Sequence, residues 1–142
     1  MINVAVIGTG YIGPVHIEAL RRISGVTVKG VTDANAELAK KTAEKYNIEK
    51  VYRDYREVLA APSINAIHTC SPNRLHYAMN REAIEKGKHI LSEKPLAMTL
   101  AEAEELTELA EKKGIVTGVD FCYRYYPVVL EMALRVRRGD AG

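Results

Sequence analysis

Three glycines at positions 8, 10 and 13, set behind a short apolar run and ahead of a helical pattern, constrain this chain more than any other feature. Ile2, Val4, Ala5, Val6 and Ile7 form an almost unbroken apolar stretch, the pattern of a parallel strand covered on both faces. The Gly-x-Gly-x-x-Gly spacing assigns each glycine a task. Gly8 permits a tight turn out of the strand, Gly10 removes a side chain where an anion would approach the backbone, and Gly13 lets helix and strand pack closely. A helix opening at this point presents free N–H groups to that anion. Glycine turns without ligands also occur, so the surroundings decide. An amphipathic helix follows (Ile12, Val15, Ile17, Ala19, Leu20, Ile23), then a second apolar strand, VTVKGVTD, closing on Asp33, twenty residues beyond Gly13. An acid at that distance accepts hydrogen bonds from an adenosine ribose, which makes the unit dinucleotide-binding.

Short apolar strands alternate with helical patterns to the end of the chain, the sign of an α/β fold with a doubly wound parallel sheet. Leu38, Ala39, Ala43 and Tyr46 mark the buried face of a second helix that stops at Asn47. A brief strand at Val51 and Tyr52 leads to a short helix capped by Asp54 and carrying Tyr55, Val58 and Leu59. Residues 64–70 read as the fourth strand, and Ser71, Pro72 and Asn73 as a turn into a helix closing at Gly87. The fifth strand starts at His89; Thr99 and Glu102 form a capping box for the helix ending at Gly114. Residues 116–121 are the sixth strand, followed by CYRYYP and a last helix.

With 142 residues and 47% apolar composition the chain supports one core, so a single domain over residues 1–142 is expected. A net charge of +2, with both signs mixed along the helices, gives no footprint for nucleic acid or an anionic membrane. No stretch of signal or membrane-spanning length follows Met1, and the expected location is the cytoplasm. Cys70 and Cys122 close the fourth and sixth strands, roughly 9–10 Å apart across the fifth; both are expected to be free thiols filling the core. In the last helix Val128, Val129, Leu130, Met132, Ala133, Leu134 and Val136 occupy most faces, which calls for a partner surface and makes self-association through this helix an expectation.

Ligands of a doubly wound sheet bind outside the carboxyl ends of its strands. The residues there are polar: the glycine turn, Asp33, the Ser71-Pro72-Asn73 turn, Glu93-Lys94-Pro95, and Tyr123 with Arg124. Singly these are a turn, a cap, a solvated pair and a surface cation. Together they converge on one edge of one sheet.

Those residues resemble the glucose-fructose oxidoreductase, inositol dehydrogenase and MocA family of nicotinamide-dependent sugar and cyclitol dehydrogenases. The resemblance covers the whole chain and rests on GTGYIG followed by His16, on Asp33, on SPNRLH, on GKHILSEKPLA and on YRYYP. It implies the Rossmann fold and a dinucleotide set of Gly8, Gly10, Tyr11, Ile12, Gly13, Asp33, Ser71, Pro72, Asn73, His76, Glu93 and Lys94. Ser71, Asn73 and Glu93 are to line the nicotinamide half. Lys94 is implied as the catalytic group that hydrogen-bonds the reacting hydroxyl or carbonyl, from a loop partly shielded from water, and Pro95 follows a peptide that is often cis. Tyr123 and Arg124 match positions near the substrate; His16 and His76 match packing and supporting roles rather than the proton donor. No metal is implied. Family members continue into a second α+β domain that carries a catalytic His and most of the substrate pocket, so the chain is expected to be a separate or truncated NAD-binding domain without turnover of its own. A non-catalytic dinucleotide-binding module or sensor, or a subunit completed in trans, is the alternative.

NAD is expected over NADP, because Asp33 repels a 2′-phosphate and its follower Ala34 brings no positive charge. NADP should bind at least roughly tenfold more weakly, about 1.4 kcal/mol. Calorimetric titrations giving equal affinities would overturn this.

Overall fold

Along β1 (Ile2–Ile7) successive side chains face opposite sides of the sheet, and both sides are apolar. Val4 and Val6 join Ile17, Leu20, Val31, Ala43 and Tyr46 in one core cluster; Ala5 and Ile7 join Val58, Leu59, Ile67, Ile84, Ile90 and Leu106 in a second. Each Val, Leu or Ile among them contributes about 1.5–3 kcal/mol by leaving water. The computed structural model describes residues 1–140. Beside β1 stand β2 (Val26–Thr32), β3 (Lys50–Val51), β4 (Ala66–Thr69), β5 (His89–Glu93) and β6 (Thr117–Asp120), all parallel, in the spatial order 3-2-1-4-5-6. Helices α1 (Ile12–Leu20) and α2 (Ala36–Tyr46) bury residues in the first cluster. Helices α3 (Tyr55–Ala60), α4 (His76–Glu85) and α5 (Leu100–Lys113) bury theirs in the second. The doubly wound parallel sheet is the one the alternation predicts.

The helix ends follow their local chemistry. Asn35 and Asp54 accept backbone N–H groups of the first turns of α2 and α3, and Thr99 with Glu102 forms a complete capping box on α5. Asn47, at φ 51°, closes α2 in the left-handed conformation that asparagine tolerates.

Several expectations need correction. Val15, 52% exposed, and Ala19, also exposed, lie outside the buried stripe of α1, which runs through Gly13, His16, Ile17 and Leu20 and carries Ile17 and Leu20 against Val4 and Val6; Ile23, 54% exposed, falls in the turn beyond the end of the helix. Cys70 is buried as expected, whereas Cys122 is exposed in a 3₁₀ turn at Cys122–Tyr125, so it fills no core; both are free thiols. The last helix, α6 (Pro127–Arg138), buries no residue among those described. The Lys94–Pro95 peptide is cis, as the resemblance implies.

The strand order reverses between β1 and β4, which opens a crevice at their carboxyl ends. Gly8 turns there with φ +97°, and a Cβ on it would stand 2.5 Å from the Cys70 carbonyl oxygen. A Cβ on Gly13 would run into the Gly8 carbonyl oxygen, while one on Gly10 would meet nothing within 4 Å. Gly13→Ala should therefore destabilise the fold by about 1–3 kcal/mol, the usual range for overpacking. Gly10→Ala should stay within about 0.5 kcal/mol of the parent, as a substitution into open space does. Urea midpoints for the two variants check the contrast, and equal midpoints would refute it.

Candidate functional site

Two adjoining cavities follow the carboxyl edge of the sheet. One, of about 610 Å³, is walled by Gly8 and Gly10, ends at Asp33 and Ala34, and is lined on its apolar side by Leu38, Leu75 and Met79, with Arg53 and Tyr55 beside them. The other, of about 830 Å³, lies against Asn73, Glu93, Lys94, Asp120, Tyr123 and Arg124. Tyr11, Ile12 and Ser71 border both, so the two form one trough. Cavities of this size suit drug- and cofactor-sized ligands.

The first cavity is built for an anion beside a hydroxylated ring. No side chain caps the N-terminus of α1 and no acid stands in its first turn, so its leading N–H groups and helix dipole are left to a ligand. Asp33 is held by both oxygens: Oδ2 accepts from the Thr9 backbone N–H at 2.7 Å and the Thr9 hydroxyl at 3.1 Å, and Oδ1 accepts from the Asn35 N–H at 2.8 Å. A carboxylate has about four acceptor positions, so one is left over. Tyr55 donates its hydroxyl to Glu82, and burial with that carboxylate pushes its pKa up to about 12.

At the junction, the Ser71 hydroxyl oxygen is, among the described residues, the one buried side-chain polar atom without a hydrogen-bond partner. A buried hydroxyl without a partner costs about 1–3 kcal/mol, a cost that a ligand group at this point removes. Together with the open space above Gly10 and the uncapped α1, this makes the trough fit a dinucleotide with its pyrophosphate at the glycine turn.

Beneath the second cavity lies a buried polar cluster. Glu93 and Asp120 are register partners on β5 and β6, and His16 Nε2 stands between their carboxylates, 3.1 Å from Glu93 Oε1 and 3.3 Å from Asp120 Oδ2. One N–H donated between two carboxylates relieves their repulsion. His16 Nδ1 is 2.9 Å from His68 Nδ1, whose pKa burial, with His16 as a lesser cause, pushes down to about 4. Burial, reinforced by Glu93 and Asp120, also pushes the Cys70 thiol up, away from thiolate chemistry.

The structure gathers Gly8, Gly10, Tyr11, Ile12, Asp33, Ser71, Pro72, Asn73, Glu93, Lys94, Tyr123 and Arg124 onto the trough. Gly13 sits behind it as packing. His76 lines neither cavity: it is fully buried, with Nδ1 at 2.7 Å from the Pro95 carbonyl oxygen and Nε2 at 2.7 Å from that of Ser71. Lys94 is exposed at the rim rather than shielded, since among the described residues nothing folds over it. Thr9, Arg53, His68 and Asp120 belong to the site without having been singled out from the sequence. For Asp120 a signal existed: it ends the sixth strand as Asp33 follows the second.

Residues 2–121 match the family described as "Oxidoreductase family, NAD-binding Rossmann fold". An uncharacterised oxidoreductase of Bacillus subtilis, YrbE, is 36% identical over 96% of this chain and 40% of its own length. The scyllo-inositol 2-dehydrogenase (NAD(+)) of the same organism is 32% identical over 99% of this chain and 42% of its own. Among solved structures, the myo-inositol dehydrogenase of Lactobacillus casei in complex with NAD(H) and myo-inositol superposes with a TM-score of 0.91 at 32% identity, covering 100% of this chain and 43% of that one. The chain thus spans about 40% of the length of the curated relatives it matches. Among the described residues no helix is long and apolar enough to cross a membrane.

The His68 environment has a consequence in solution. Its folded pKa of about 4 lies below the ordinary 6.5, so as pH falls below 6.5 the unfolded chain takes up a proton that the folded chain refuses. This contribution leaves stability intact above about pH 6.5 and removes up to roughly 3 kcal/mol as pH falls toward 4. Urea unfolding across that window should show a shallower decline for His68→Gln than for the parent; identical slopes would refute the assignment.

Proposed function

The chain belongs to the GFO/IDH/MocA oxidoreductase family as its NAD-binding Rossmann domain, and from that premise we propose that it is the cofactor half of a dehydrogenase acting on a hydroxyl carbon of a sugar or cyclitol. One observation carries the reading. The glycine turn and Asp33 stand at one end of a continuous trough, Glu93 and Lys94 at the other, and the partnerless Ser71 hydroxyl marks the junction. Related proteins that are scyllo-inositol and myo-inositol dehydrogenases support the polyol class.

A bound NAD supplies the hydride acceptor or donor. The chain's own residues then have separate tasks. Asp33 takes the adenosine ribose with its spare acceptor position. Gly10 and the first-turn N–H groups of α1 receive the pyrophosphate. Ser71, Asn73 and Glu93 face the nicotinamide half, and Tyr11, Ile12 and Pro72 close the trough around the dinucleotide. Lys94 carries the catalytic proton: its ammonium, at the rim of the second cavity, donates to the substrate oxygen as negative charge develops there. Tyr123 and Arg124 bracket the substrate. In the complete enzyme a second domain covers Lys94 and brings the partner proton carrier. The setting is cytoplasmic, where NAD and free polyols meet. Helix α6, with Val128, Leu130, Met132, Leu134 and Val136 all exposed, gives the separate chain a surface through which it self-associates.

The isolated chain should bind NAD measurably in calorimetry yet form no NADH from polyols. Hydride transfer needs substrate and proton carriers placed together, and removing part of such a unit costs nearly as much as removing all of it. NADH formation at about 1 s⁻¹ or faster, within the ordinary enzyme range, would overturn the claim. For self-association, a strictly monomeric mass in concentrated solution would count against α6.

A further inference from the structure

Helix α4 presents two fully buried polar side chains one turn apart, His76 and Asn80, to the carboxyl end of the sheet above a largely apolar core. Both reach across the gap between β4 and β5. Asn80 accepts the Thr69 hydroxyl of β4 at 2.7 Å and donates to the Ser92 hydroxyl of β5 at 2.9 Å; Ser92 in turn donates to the Glu93 carbonyl at 3.0 Å. One turn earlier, His76 stands 2.7 Å from the Ser71 carbonyl beyond β4 and 2.7 Å from the Pro95 carbonyl beyond β5. A carbonyl oxygen can only accept and a neutral imidazole carries a single N–H, so the ring donates to one of these carbonyls, its tautomer deciding which, and packs against the other.

Such an arrangement is expensive unless it is complete. A buried polar group left unpaired costs about 1–3 kcal/mol, and apolar side chains of the same shape would hold α4 to the sheet without that exposure. Hydrogen bonds differ from apolar packing in fixing direction and separation. What they fix here is the spacing of two loops, Ser71–Asn73 and Glu93–Pro95, which both border the second cavity. The glycine turn and Asp33 are held by other contacts, from Thr9 and Asn35.

We propose that His76 and Asn80 are positioning residues that set the separation of these two loops, and through it the grip of the chain on the nicotinamide end of the dinucleotide, separately from its ADP-ribose end. The proposal rests on the cofactor reading above. Neither residue touches ligand; each acts through the backbone or the hydroxyls of its partners.

The test compares NAD with ADP-ribose, titrated calorimetrically into the unsubstituted chain, into His76→Leu with His76→Gln as the conservative variant, and into a triple variant, Thr69→Val with Asn80→Leu and Ser92→Ala. The triple replaces every member of the Asn80 chain by an apolar group of similar shape, a change that is close to neutral for folding, so it decides the matter if His76→Leu does not fold. The unsubstituted chain should prefer NAD. In His76→Leu and in the triple variant that preference should fall by about fivefold or more while ADP-ribose affinity stays within about twofold, and His76→Gln, which keeps N–H donors, should restore part of it. Equal loss of both ligands would make the residues generally structural and overturn the proposal. So would an unsubstituted chain that binds both ligands equally, since the loops then hold no nicotinamide. Failure to bind either ligand would instead overturn the cofactor reading itself.

Discussion

The cofactor trough depends on one carboxylate shared between two loops. Asp33, leaving β2, accepts the Thr9 amide and hydroxyl in the glycine turn that leaves β1, while its other oxygen ties down the Asn35 amide that starts α2. Charge-assisted hydrogen bonds to backbone N–H groups are roughly twice as strong as neutral ones. They hold a turn that must be glycine-rich, and is therefore costly to order, in one conformation. The buried Thr9 side chain, 1% exposed, serves the same end. The acid proposed to meet the ribose is thus also the brace of the turn proposed to meet the pyrophosphate, so a substitution at Asp33 alters both.

The sheet is chemically divided along its strand direction. Toward the carboxyl ends the buried groups turn polar: Thr32, Thr69, Ser92 and Glu93 on the strands, with His16, His76 and Asn80 on the helices above them. In the middle of β1 and β4 the buried groups are Val4, Ala5, Val6 and Ile67. Apolar packing holds the layers together without directional preference, and the polar end supplies direction where loops must be placed to within a fraction of an ångström. The His16 cluster and the α4 pair are two solutions to the same problem on opposite faces of the sheet. One sets a ring nitrogen between adjacent carboxylates; the other links the side chains of adjacent strands.

What the sequence made legible was local. Strand and helix types followed from apolar period, helix ends from Asp54, Asn47, Thr99 and Gly114, and the roles of Gly8, Gly10 and Gly13 from their spacing, since each is decided within a few residues. The site residues were found because the topology sends all strand ends to one edge. The partners of those residues stayed hidden. His16 meets His68 and Glu93 across separations of 52 and 77 residues, and no periodicity reports such a contact. Val15 and Ile23 read as core because a helix pattern fixes its stripe and its end only approximately: Val15 falls beside the buried stripe, and Ile23 falls in the turn after α1 has ended at Leu20. Exposure of Lys94 is decided by what packs over it, which its neighbours in sequence do not encode.

The position of β1 in the middle of the sheet ties assembly to binding. Its pairing with β4 closes a chain segment fastened where the Asn3 amide meets the Asn65 side chain, 62 residues away, and closure of so long a loop must precede the contacts that reward it. The crevice at the strand reversal comes into being only with that closure. A ligand seated there meets no partial version of its site in the unfolded ensemble, so its binding free energy is coupled to formation of the central strand pairing, and saturating ligand shifts the folding equilibrium by mass action. Occupancy of the crevice becomes a measure of whether the central strand pairing is in place.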